Sequence, residues 1–210
     1  MRKLLLPILV CMLAACNDAP RNPDPPVRKS PHDSAIPSKA GLPVPNPYVD
    51  VDVSPMDMAY FPVEYPKLKM SKLTNEPPVA RVIYSRPHLQ GRHIFHDVQK
   101  YDQPWRLGAN ESTELDFYRD VRIQGKLVKA GRYIIYSIPH PDKWTIVLNS
   151  NVDTWGLEQD STKDIMRFEI PSAATKERIE YFTMLFEKTD KGASLLMAWD
   201  NVEARLPFEF

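Results

Sequence analysis

"IEYFTMLFEKTDKGASLLMAW", residues 179–199, can be read in two ways, and the choice between them decides the fold. Ile179, Phe182 and Phe186 fit the apolar stripe of an amphipathic helix. Against that, residues 179–187 are nearly continuous apolar material rich in aromatic and β-branched side chains, which suit a pleated surface better than a helical one. KTDKG (188–192) then has the composition of a hairpin loop, and ASLLMAW (193–199) resumes the apolar run. The hairpin signal favours two strands over one helix.

The flanking sequence repeats the period of two. VEARLPFEF (202–210) turns Val202, Ala204, Leu206 and Phe208 one way. Upstream, IMRFEI (165–170) alternates and ends at Pro171, and KWTIVLN (143–149) puts Trp144, Ile146 and Leu148 on one face after the turn residues PHPD. RYIIYSI (132–138) is β-branched and aromatic and ends at Pro139, while Gly125 and Gly131 bracket KLVKA as turn punctuation. VRI (121–123) and ARVIYS (80–85) read as strands, as does TELDF (113–117), where Leu115 and Phe117 oppose Glu114 and Asp116. About nine strands with short turns and no βαβ rhythm predict an all-β domain: an antiparallel β-sandwich, jelly-roll-like.

The front of the chain has a different character. Arg2 and Lys3 precede an apolar run from Leu4 to Ala15 that ends in LAAC. A spanning helix needs about 20 apolar residues, and Asn17 and Asp18 end this run before that. Charge, length and small-residue pattern define a cleaved leader over residues 1–15. Leu13, Ala14 and Ala15 before Cys16 resemble the lipobox of bacterial lipoproteins, which makes Cys16 the expected lipidation site and the bilayer an expected partner. Cys11 would leave with the leader, so the exported chain must hold itself by its core without disulfides. Between Pro20 and Pro66 lie 12 of the 21 prolines, and residues 16–54 read as a proline-rich disordered tether with mixed charge. Residues 55–210 are expected to form a single domain.

Composition and motifs exclude several functions. Lys plus Arg equals Asp plus Glu at 27 each, which argues against a nucleic-acid partner. His88, His93 and His96 lack the four-residue spacing of a helical zinc pair, and Gly91 among them argues for a loop, so no metal or other cofactor is expected. No GxSxG elbow is present, and Gly125 and Gly131 lack the spacing and the following Lys-Ser/Thr of a phosphate-binding loop. Glu114 and Asp116 read as a solvated strand face, and Tyr133, Tyr136, Trp144, Trp155 and Trp199 as core rather than a sugar-stacking platform.

VIYSRPHLQGRHIF, WRLGANEST, GKLVKAGRYIIYSIP, KWTIVLN and WG, in that order, resemble the bacterial family known as domain of unknown function 2911, over roughly residues 54–210. The histidines depart from its pattern. The resemblance implies an all-β fold and an exported, often lipidated protein, and it carries no activity.

PWRLGANEST (104–113) is the densest polar motif. Gly108 and Ala109 permit close backbone approach, Asn110 tolerates a left-handed turn, and Trp105 can cover the turn from water. Arg86, Arg92 and Arg106 could all meet Glu111 beside Asn110. That set would act either as a clamp between two loops or as a binding site whose surplus guanidinium donors suit a small anionic or acidic-sugar ligand. Asp97 and Asp102 could cancel the surplus. The expectation is a lipid-anchored envelope protein, at the outer membrane of a Gram-negative bacterium, that binds a ligand or partner without catalysis. The alternative is a hydrolase acting on an envelope polymer or glycan, for which no catalytic residue can be assigned.

Overall fold

A computed structural model describes residues 52–210. The leader, Cys16 and the tether up to residue 51 lie outside the described residues. Nine strands follow: β1 (Met56–Phe61), β2 (Ala80–Ser85), β3 (Glu114–Phe117), β4 (Val121–Ile123), β5 (Lys126–Val128), β6 (Gly131–Pro139), β7 (Lys143–Asn149), β8 (Asp164–Lys188) and β9 (Gly192–Glu209). One short α-helix, α1 (Tyr65–Met70), sits between β1 and β2, and single helical turns occupy Ile94–Val98 and Ser161–Lys163. All nine strands join in one antiparallel sheet, ordered β1-β2-β3-β6-β7-β8-β9-β4-β5.

The long strands fold this sheet into two facing layers. Residues 164–171 of β8 pair with β7, and Ser172 onward pairs with β9. Pro171, expected to end a strand, instead sits where β8 changes partner, a position at which its missing N–H can be accommodated. IMRFEI and IEYFTMLFE are therefore one strand. Likewise ASLLMAW and VEARLPFEF merge into β9. In β9 the core-facing side chains shift from odd positions (Leu195, Met197, Trp199) to even ones (Ala204, Leu206, Phe208) across Asp200, which has φ +54°. The shift is that of a bulge, which re-aims every later side chain.

The helix-or-strand question at residues 179–187 is settled by burial. Phe182, Met184 and Phe186 point into the core while Tyr181 and Leu185 are exposed, a period of two. Phe186 and Phe208 from one layer meet Phe61 of the other with ring centroids 6.4 and 6.5 Å apart, edge to face, and Phe208 lies 5.3 Å from Phe117. Trp105 is part of this core rather than a cover over its turn. It stacks on Trp199 at 5.9 Å and meets Trp144 and Phe182 edge-on at 5.7 and 5.0 Å. After β2 the chain returns to β8, where Leu89 N donates to Glu180 O (3.0 Å) and Phe182 N to Pro87 O (2.9 Å).

β1 has no counterpart in the sequence reading, since MDMAYF, lying between Pro55 and Pro62, shows no clean alternation. Glu114 and Asp116 differ from expectation too. Asp116 is buried and bonded by Arg81 (2.8 and 2.5 Å), and Glu114 is paired with Arg132, so this face of β3 is ion-paired rather than solvated.

Candidate functional site

The PWRLGANEST loop leaves the sheet at Trp105, whose backbone exchanges hydrogen bonds with Ser137 of β6 (2.7 and 2.9 Å). Leu107 and Asn110 then take left-handed backbone angles, φ +55° and +57°. Thr113 Oγ1 closes the turn by donating to Leu107 O at 2.6 Å. Gly108 lies so close to β2 that a Cβ there would sit 3.0 Å from Ser85 O.

A second loop, residues 154–156, locks onto the first. Ser112 N donates to Thr154 O (3.1 Å), and the two hydroxyls of Ser112 and Thr154 are 3.0 Å apart. Gly156 has φ +75°, and a Cβ there would collide with Ser112 Oγ and lie 3.3 Å from Arg106 Cβ. The expected clamp is an arginine–glutamate–asparagine set joining this loop to the one that carries Arg86 and Arg92; the interlock found joins it instead to residues 154–156, through backbone groups, hydroxyls and glycines.

The charged residues of the motif divide into separate groups. Arg106 Nη1 donates to Trp155 O at 3.3 Å; burial pulls its pKa down, opposed by the nearby Glu111 charge. Asn110 Nδ2 donates to Asp52 Oδ2 at 2.6 Å and to Ser54 O at 3.4 Å, while Asp52 Oδ1 accepts from Ser54 N at 2.7 Å. Glu111 is exposed and enters no ion pair among the described residues. Asp52, Met56, Ser85, Asn110, Glu111 and Trp155 line an open depression of about 360 Å³.

Arg86 and Arg92 do not join it, which corrects the expected convergence. Arg86 pairs with Asp57 (3.1 Å) and donates to Phe182 O (3.3 Å) and Thr183 Oγ1 (3.4 Å), with Tyr181 6.0 Å away. Arg92 folds back on its own turn, donating to Leu89 O and His88 O at 2.9 Å each. Residues 88–92 are tied to β8 by the backbone pairing that follows β2, and this carries Arg92 away from the knot. Asp97 and Asp102 are engaged by His96 and His140. The three loop histidines take three separate partners: His88 stacks on Tyr181 at 5.2 Å, His93 meets Asp200 at 3.1 Å and His96 meets Asp97 at 2.6 Å.

Sequence reasoning missed Asp52, Ser85 and Met56, and it assigned Trp155 to the core. Trp155 is 54% exposed, unlike the buried Tyr133, Tyr136, Trp144 and Trp199. One signal could have found it: NVDTWGLEQD is turn-rich and shows no strand alternation, so a tryptophan there has no sheet face to enter. The depression therefore carries an exposed indole, two carboxylates, an amide and one neighbouring guanidinium. Its polarity is the reverse of the donor-rich anion site expected from three arginines.

Fold and site together define an antiparallel, sandwich-like β-domain that presents a shallow, polar, tryptophan-bearing depression on the loops at one side of its sheet. The family model described as "Protein of unknown function (DUF2911)" matches residues 67–208, and the chain belongs to that family. Comparison with the curated proteins and with the solved structures gave no match.

Proposed function

We propose that this protein is a non-catalytic carbohydrate-binding module, held at the bacterial envelope by lipid on Cys16. The observation that carries the reading is the exposed ring of Trp155 beside the exposed carboxylate of Glu111 in one depression. A large exposed apolar surface is informative where it adjoins fixed polar groups. An indole face takes the C–H face of a sugar ring, while Glu111 and the Asn110 carbonyl oxygen accept from its hydroxyls. A neutral sugar fits better than an acidic one, because an anion entering here meets Asp52 and Glu111, and none of the described residues that line the depression is a cation. The lipid anchor rests on the leader and the LAAC sequence.

The hydrolase reading has one observation in its favour, two carboxylates in the same depression. Asp52, however, has both oxygens engaged by Ser54 and Asn110, which suits a positioning group better than an acid that must exchange protons.

Titration of the chain with chitotetraose, cellotetraose and tetragalacturonate, followed by tryptophan fluorescence, tests both readings. A neutral tetrasaccharide is expected to quench the emission. Trp155→Ala should abolish binding and Glu111→Gln should weaken it about tenfold, the equivalent of about 1.4 kcal/mol. Binding of tetragalacturonate alone would restore the acidic-sugar reading, and release of reducing ends that stops in Glu111→Gln would establish the hydrolase. No response to any of the three would remove the carbohydrate assignment for these ligands.

A further inference from the structure

α1 and the turn after it, YPKLKMSKL (65–73), carry three lysines and no acidic residue, and no side chain of α1 is buried. Its half-buried residues are Leu68 and Tyr65, which rests against Tyr60 with ring centroids 5.3 Å apart. At about 100° per residue, Met70 lies on the side of the helix away from Leu68, with Lys67 and Lys69 on its two flanks. Met70 is accordingly 79% exposed. The helix ends in a tight turn in which Ser71 N donates to Lys67 O and Leu73 N to Leu68 O, both at 2.9 Å, with Lys72 in the left-handed region at φ +56°. Such a turn favours glycine at the left-handed position and commonly folds the residue after it onto the helix. Here that position holds a lysine, and Leu73 remains 74% exposed.

The charges of this projection are free. Among the described residues the ion-paired lysines are Lys129 and Lys143, and Lys69 has one long contact, 3.5 Å, to Asn75 O. Glu64 and Glu76, the nearest acidic residues in sequence, lie outside the stretch and pair with none of its lysines. An apolar tip ringed by unpaired lysines is the arrangement of an interfacial segment. The apolar groups enter the boundary between headgroups and acyl chains, while the ammonium groups stay among anionic headgroups. An acidic peptide would satisfy the lysines and leave Met70 and Leu73 in water. Shape favours the same occupant, since neither side chain lines the depression beside Trp155 or the hollow that Lys69 borders. A protein partner would need a cavity of matching form for this tip, whereas a fluid bilayer closes around a projection. Cys16 and Asp52 are about 36 residues apart, a span of at most about 130 Å, so a bilayer holding Cys16 lies within reach of either end of β1.

We infer that α1 and its turn dock on an anionic phospholipid bilayer, with Met70 and Leu73 inserted at the level of the headgroups and Lys67, Lys69 and Lys72 against lipid phosphates. The surface goes beyond the carbohydrate reading and does not depend on it, and the docking needs no acyl chain on Cys16.

The test uses the full chain with Cys11 and Cys16 replaced by alanine, so that no acyl chain and no second thiol contributes. An environment-sensitive fluorophore is attached at Ser71→Cys or, as control, at Leu157→Cys, because Leu157 is also 74% exposed but lies in the Trp155 loop. Vesicles of phosphatidylcholine alone are compared with vesicles of equal parts phosphatidylcholine and phosphatidylglycerol. The Ser71 label should shift to the blue on the anionic vesicles and return as salt is raised, and the Leu157 label should not move. Attachment through the apolar leader would occur on both vesicle types without shifting either label. Lys67→Gln and Lys72→Gly should each weaken the docked state about fivefold. Lys72→Gly also relieves the left-handed backbone, so its unfolding midpoint should not fall, which separates lost charge from lost folding. Met70→Ser combined with Leu73→Ser should abolish the shift, again at an unchanged midpoint. Equal shifts on neutral vesicles, a shift of both labels, no shift on either vesicle, or indifference to Lys67→Gln and Lys72→Gly would overturn the inference. So would a Ser71 shift that grows with protein concentration in the absence of lipid, since the tip would then meet a second copy of the chain.

Discussion

Asp200 is only 2% exposed and is the carboxylate that joins three parts of the domain. Its Oδ1 accepts from Arg178 Nε at 2.8 Å, and its Oδ2 accepts from Ile94 N and meets His93 Nδ1, both at 3.1 Å. Arg178 in turn donates to Arg92 O at 2.6 Å, so the histidine loop, β8 and the β9 bulge are fastened at one residue. Burial pushes the Asp200 pKa up, but the Arg178, Ile94 and His93 contacts outweigh it and hold the group below the ordinary carboxylate range. A carboxylate depressed in the folded state stabilises above its unfolded pKa, near 3.9, and that contribution is lost as pH falls through the lower folded value. Asp200→Ala should cost about 2 kcal/mol at pH 7, less than a fully buried pair because Arg178 and His93 stay partly hydrated. The gap between variant and wild type in urea unfolding should narrow below about pH 4. A gap that persists unchanged into strong acid would mean that Asp200 acts through packing rather than charge.

At the scale of elements, the PWRLGANEST loop is held by a partner loop more than by its own charges. Gly156 carries two separate demands: a left-handed φ of +75° and space for Ser112 that a Cβ would remove. Gly125 shares the first demand, at φ +76°, but has open space around it. Gly125→Ala should therefore cost only the left-handed penalty, about 1 kcal/mol. Gly156→Ala should cost more, about 2 to 3 kcal/mol, because overpacking adds to strain. Thermal unfolding of the two variants measures the difference. Equal losses would show that the two loops are not interlocked. The same displacement should shift Trp155 and weaken any ligand of its depression, whereas Gly125→Ala should leave that ligand untouched.

For the whole molecule, the proposal is of a lipid-anchored chain whose β-domain carries a recognition surface beside Trp155. The anchor is tested directly. Labelled fatty acid fed to expressing cells is expected to enter the wild type and to be absent from Cys16→Ala, which should also leave the membrane fraction, because the acyl chains contribute about 0.8 kcal/mol per buried methylene. Equal labelling of both proteins would remove the lipoprotein assignment. The depression beside Trp155 lies outside the aromatic core of Trp105, Trp144, Phe182, Trp199 and Phe208. Substitutions at Trp155 and Glu111 should accordingly change binding far more than stability.

What the sequence determined by itself is the class of fold and most of its strands. ARVIYS, VRI and KWTIVLN coincide with β2, β4 and β7, because a period of two is a local property that each segment carries without knowledge of its neighbours. Even the ambiguous 179–187 segment was decided by its β-rich composition and the loop that follows it. Three things depended on pairing across the sheet: the passage of β8 through Pro171, the reversal of faces at Asp200, and the fate of the arginines. Arg86 and Arg92 stand near the knot's partners in sequence logic, yet the return of residues 87–89 to β8 commits both to other groups. Asp52 and Trp155 reach Asn110 and Glu111 only because the sheet and its loops bring residues 58 and 44 positions apart together. No local periodicity encodes such a meeting, since strand order and register are set by the buried face of the assembled sheet.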